Sequence, residues 1–260
     1  MLTERLREAQ AYVEKQGYTL AYAAIYGSQN YGLSLDTPEY RSDVDIKCAV
    51  LPSLSLLARE ETVPSQVLDV AGGQIEVKDA RRFVQVAMRQ NPSYLETLMT
   101  PHYLAPCAAF EQVRALVPAL LESDPAGFLK ACRGMGMEKR KNLCHPYPAA
   151  MEKIQRWGYD GKQAHHMCRL LLIMRRFALD GQYVLQAPQE EYDFLIALKR
   201  NDIPLARALE YTQAWAQEMD EICQSIREHK GAAARLEKQA KELVFEAIEA
   251  HIRCQCIWTE

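Results

Sequence analysis

The sequence predicts an α+β protein, with a small mixed sheet near the N-terminus and an all-helical region after it. Three observations carry this. Strand-like runs rich in β-branched and aromatic residues are confined to the first part of the 260 residues. They alternate there with patterns of helical period. After about residue 105 only helical patterns remain, broken at Asp124-Pro125, His145-Pro146, Trp157-Gly158, Asp180-Gly181 and Asn201 to Pro204. The expected division is a mixed-sheet domain over 1–105 and a helical domain over 106–260.

Residues 3 to 16 place Leu6, Ala9, Tyr12 and Val13 at helical spacing behind Thr3, a suitable N-cap. Tyr18 to Tyr26 reads as a buried strand that stops abruptly at Gly27-Ser28. Asp43 to Val50 is a second strand. Gln66 to Ala71 and Gln74 to Lys78 flank Gly72-Gly73, a hairpin signal. Asp79 reads as the N-cap of the helix ARRFVQVAMRQ, Asn91-Pro92 as its stop, and Ser93 as the cap of SYLETLM.

The composition is that of a globular protein, with 48% hydrophobic and 25% charged residues. The N-terminal MLTERLREAQAYVEKQ has no uninterrupted apolar stretch, and the run Leu170 to Ile173 is far too short to span a bilayer. No membrane partner is expected, and the cytoplasm is the expected location. Eight cysteines are scattered without a CxxC pair. Cys254 and Cys256 near His251 lack a fourth zinc ligand, so reduced structural thiols are expected. A net charge of −3 excludes a protein that coats nucleic acid by bulk charge, and any polyanion site must be a local patch.

Residues two apart on a strand share a face, so Asp43 and Asp45 project together while Val44 and Ile46 turn to the core. Two neighbouring carboxylates repel unless a cation lies between them, and oxygen-only donors favour Mg²⁺ or Mn²⁺. A third acid on a neighbouring strand would complete a site for two ions, able to activate an attacking oxygen and stabilise a leaving phosphate. Glu76 is the candidate, since Gln74, Glu76 and Lys78 share one face of their strand. Gly27-Ser28, read as the start of a short helix, would present backbone N–H groups to a triphosphate, with the Ser28 hydroxyl beside them.

The order Gly-Ser, short helix, Asp-x-Asp, later acid resembles the DNA polymerase β nucleotidyltransferase superfamily. It reads YGSQNYGLSLDTPEYRSDVDIK and then GGQIEVKDARRF, with Asp36 to Arg41 as an inserted loop. Within the superfamily the chain looks like the predicted nucleotidyltransferases of the RNA-repair-pathway polymerase β family. YGSxxYGL with SDVD, NPSYLETL and YDGKQAHHMCRLL carry that narrower likeness, over about residues 20 to 225. The resemblance implies Asp43, Asp45 and Glu76 as metal ligands, two Mg²⁺ ions, and an NTP substrate held by Gly27 and Ser28. Gln74 stands immediately before the IEVK run, where some relatives carry an acid.

Lys162 to Ala178 forms an amphipathic helix whose apolar stripe runs through Met167, Leu170, Leu171, Met174 and Phe177. Lys162, His165, Arg169 and Arg176 fall on the opposite face and His166 on its flank. Such a face is ordinarily a solvated one, but this one carries no acid. The likeness falls on Lys162, His166 and Arg169, which would face the carboxylates across a cleft and hold triphosphate or nucleic-acid phosphates. Lys139 to Lys141 extend this basic character, and Glu96 is expected to pair with a cation.

Together these imply nucleotidyl transfer to an RNA end, tRNA first. The alternatives are nucleotidylation of a protein or small molecule, and an inactive nucleotide- or RNA-binding module.

Overall fold

The computed structural model describes residues 2–37, 41–226 and 232–257. The chain divides into two compact units, Met1–Ser123 with Lys230–Glu260, and Asp124–His229.

In the first unit, α1 (Leu2–Lys15) is followed by β1 (Thr19–Tyr26) and β2 (Asp45–Leu51). Next come α2 (Leu54–Ala58), β3 (Gln66–Val70), β4 (Gly73–Asp79), α3 (Ala80–Met88), α4 (Pro92–Met99), β5 (Tyr103–Leu104), α5 (Ala108–Ala115) and α6 (Val117–Ser123). The sheet has the order β3-β4-β2-β1-β5. Only β2 and β4 run parallel among its pairs, which makes it the mixed sheet that the sequence predicts.

The two faces of the sheet divide the labour. Leu6, Ala9 and Val13 of α1 pack onto Ile25, Ile46, Cys48 and Val77. On the other face Tyr22 stacks on Phe110 of α5 at 5.1 Å and meets Phe83 of α3 at 5.9 Å. Asp79 caps α3 as expected, accepting from the Arg81 N–H at 2.9 Å and from Val63 N–H at 3.0 Å.

The cap of α4 differs from expectation. Asn91 accepts the Ser93 N–H, and Pro92 takes the first helical position, where its missing N–H is harmless. The expected short helix after Gly27-Ser28 is instead a series of tight turns, with Asn30 N–H on Gly27 O at 3.0 Å and Leu33 N–H on Ser28 O at 3.0 Å.

The second unit contains α7 (Pro125–Asn142), α8 (Met151–Trp157), α9 (Gly161–Asp180), α10 (Tyr192–Arg200) and α11 (Leu205–Ser225). α9 is central, packed by α7, α10 and α11. Left-handed residues end three helices, Gly158 at φ 81°, Gly181 at φ 71° and Asn201 at φ 63°.

The last helix, α12 (Ala232–Ile257), belongs to the first unit and packs on α3, α5 and α6. Its buried Ala240, Val244 and Ile248 recur every four residues, a stripe those helices cover. The compact units therefore do not divide at about residue 105, where strand signals end: α5, α6 and α12 complete the layer over the sheet.

Candidate functional site

The antiparallel register of β1 and β2 sets Tyr26 against Asp45. The Gly27-Ser28 turn therefore lies beside the Asp43-Val44-Asp45 segment. Val44 packs with the core and donates to Gly72 O at 2.8 Å, and β2 begins only at Asp45, so Asp43 lies just before the strand that the sequence expected to include it. Asp43 is exposed, while Asp45 is half-buried and accepts the Gln74 N–H at 3.0 Å. A Cβ on Gly73 would lie 2.4 Å from the Val44 carbonyl oxygen, so only glycine lets β4 lie this close to the Asp-x-Asp segment.

Glu76 projects from the same face as Asp45 one step further along β4, opposite Lys47. Its carboxylate is bound to the Lys47 ammonium, accepts the Tyr94 hydroxyl at 2.5 Å and has Lys78 Nζ at 3.7 Å. Lys47 Nζ also lies 3.8 Å from the centre of the Tyr26 ring. Burial alone would raise the Glu76 pKa, but Lys47, the Tyr94 hydroxyl and Lys78 hold it below the usual carboxylate range. Burial draws Lys47 down, against the pull of Glu76.

Among the described residues, no three His, Cys, Asp or Glu side chains converge closely enough to hold a metal ion. The Asp43–Asp45 pair has the all-oxygen donor chemistry of a hard divalent cation. Glu76 is already charge-matched by Lys47, so it can join that pair only by exchanging its partner. Gln74, beside Asp45, donates its amide to Asp69 at 2.8 Å.

The Gly-Ser turn is held from beneath by Glu96, buried at 3% exposure on α4. Its Oε1 accepts the Gly27 N–H at 2.5 Å and the Asn30 side-chain N–H at 3.0 Å. Asn30 also donates to Ile25 O at 2.9 Å and accepts from the Thr100 hydroxyl at 2.7 Å. The Gly27 N–H is thus spent on the fold. The donors left for an anion are the Ser28 hydroxyl and the Ser28 and Gln29 N–H groups, which take no acceptor among the described residues.

The other site candidates lie on α9, in the second unit, whereas the carboxylates lie in the first. Lys162 is exposed in the first turn, His166 is half-buried, and Arg169 is buried at 8% exposure. The face is therefore not simply solvated. His165 is buried and its Nδ1 donates to Leu195 O at 2.9 Å. Burial, with Arg169, His165 and Lys162 nearby, pushes His166 far below its ordinary value, so it is neutral. The YDGK segment is a clamp: Asp160 caps α9 at Lys162 N–H and accepts the Tyr147 hydroxyl at 2.5 Å, and Tyr159 donates to Ile203 O at 2.5 Å.

Sequence reasoning missed Lys47 and Tyr94. The alternation in DVDIK puts Lys47 on the face of Asp43 and Asp45, so its presence was readable. The side chain of Cys256 lies outside the described residues, and Cys254 is exposed.

The RNA repair pathway DNA polymerase beta family, RlaP, matches residues 1–246. The chain belongs to this family. Its polymerase β-type nucleotidyltransferase character follows at that level, and the match extends through most of α12. A comparison with curated proteins gives no match. Among the described residues, no helix of this family member is long and apolar enough to cross a membrane.

Proposed function

We propose that the first unit binds a nucleoside triphosphate with two Mg²⁺ or Mn²⁺ ions at Asp43, Asp45 and Glu76. It transfers the nucleoside monophosphate to a hydroxyl at an RNA end, tRNA being the first candidate, and releases pyrophosphate. The Tyr26–Asp45 register supports this reading, because it brings the Gly-Ser turn beside the Asp-x-Asp segment.

When bound, the ions would offset the triphosphate charge and favour the attacking oxygen. Ser28 and the backbone of its turn would hold triphosphate oxygens. The acceptor oxygen attacks the α-phosphorus, the bond from that phosphorus to the bridging oxygen breaks, and pyrophosphate leaves with the electron pair. One carboxylate, Asp45 or Glu76, would take the acceptor proton. Lys162, His166 and Arg169 are the proposed anion contacts of the second unit, Arg169 by charge and neutral His166 by hydrogen bonding.

The test is incubation with Mg²⁺ and each labelled NTP, with and without total tRNA, beside an Asp43→Ala/Asp45→Ala variant. Label in RNA that the variant loses supports the reading and names the base. Label on the protein itself makes protein nucleotidylation the activity. No transfer, with wild type and variant binding NTP equally, removes the carboxylates from the chemistry.

A further inference from the structure

The second unit contains a groove of about 710 Å³ formed by the end of α7, the segment after it and the first turns of α11. Its lining carries Arg140, Lys141 and His145 and, among the described residues, no acid. Its apolar lining includes Met137, Leu143 and Leu209, the last 46% exposed.

Glu138 pairs with Lys139, Asp160 with Lys153 and Glu210 with Arg207. Arg140 donates to the neutral Gln213 amide, and neither it nor Lys141 has an ion pair among the described residues. In a chain of net charge −3, this is a lining of cationic and apolar side chains around a volume large enough for a nucleotide. Charge complementarity points to phosphodiesters against the cations. The apolar side chains favour an unstacked base, which a duplex would not present.

We propose that this groove binds single-stranded RNA of the acceptor, with Arg140, Lys141 and His145 on its phosphates. The inference rests on the RNA reading of the function, but not on the carboxylates.

The test is anisotropy of a short fluorescein-labelled single-stranded RNA across a salt series, without NTP, so its outcome is independent of the transfer assay. Wild type is compared with Arg140→Gln/Lys141→Gln/His145→Gln, three exposed positions whose loss should leave folding intact. The variant should bind at least tenfold more weakly at low salt. The slope of log affinity against log salt should shrink by about 1.4 to 2 for two to three lost contacts.

Cys144 lines the groove and is exposed, so it reports location. RNA should slow its alkylation while leaving that of exposed Cys254 unchanged. Equal slopes in the two proteins, unprotected Cys144, or preference for a blunt RNA duplex would each overturn the proposal.

Discussion

Lys47 and Glu76 face each other across the parallel β2–β4 register and form an ion pair whose lysine is only 5% exposed. A buried ammonium is tolerable only beside its counter-charge. Glu76→Ala should therefore destabilise the protein by about 3 to 5 kcal/mol, measured by urea denaturation. Lys47→Met/Glu76→Leu should recover most of that loss, while transfer stays abolished. A single variant as stable as wild type would refute the pairing.

Glu96 makes a separable claim on the Gly-Ser turn. Glu96→Gln keeps an oxygen for the Gly27 and Asn30 donors, whereas Glu96→Ala leaves the half-buried Gly27 N–H unmatched at about 1 kcal/mol. If the turn holds triphosphate, the alanine variant should raise KM for NTP more than it lowers kcat. The glutamine variant should restore KM. Identical KM values in all three proteins would confine Glu96 to stability.

Asp43 is exposed, so Asp43→Asn should leave the melting temperature in metal-free buffer nearly unchanged. Mg²⁺ with NTP should raise the melting temperature of wild type by mass action and fail to raise that of the variant. The same rise in both would show that the cation binds elsewhere.

What the sequence revealed depended on how local the determinant was. The alternation in DVDIK gives the shared face of Asp43 and Asp45, and QIEVK gives the face of Glu76. Which row Glu76 occupies depends on the parallel β2–β4 pairing, which no periodicity encodes, and so Lys47 as its partner was not read. The acceptor of the Gly27 N–H lies 69 residues along the chain, and with that donor spent the turns after Gly27 need no helix. Asn91 and Ser93 are both good caps. Pro92 decides for Asn91 by filling the position between them. The return of α12 to the sheet domain is equally non-local, since its apolar stripe names no partner.

Gly161 in the YDGK segment is a close-approach glycine. A Cβ there would lie 2.1 Å from Leu198 O and 2.9 Å from the Asn201 side-chain oxygen. Because backbone cannot swing aside as a side chain does, Gly161→Ala should force α9 and α10 apart and destabilise the second unit by about 2 kcal/mol or more. The contrasting control is Gly134→Ala in α7, where a Cβ meets nothing within 4 Å and helix propensity favours alanine. Equal melting temperatures for the two variants would contradict the packing.

His165 makes the second unit acid-sensitive. Burial lowers its pKa from 6.5 to about 3 against the opposing pull of its Nδ1 hydrogen bond to Leu195 O, with Arg169, Lys199 and Lys162 adding smaller downward contributions. The unfolded chain therefore binds a proton that the folded chain refuses between pH 6.5 and about 3. Stability is full above the unfolded value and declines as pH falls through this window, by up to about 5 kcal/mol from this residue alone. Glu76, Asp79 and Asp160, whose folded pKa values are depressed, lose their contributions lower down, below the ordinary carboxylate range. His166 is depressed in the same direction and adds to the loss in the same window. Denaturation followed at pH 7 and pH 5 should show a loss for wild type that His165→Gln reduces and His165→Gln/His166→Gln largely lacks. A slope unchanged by the double substitution would remove the two histidines as its source.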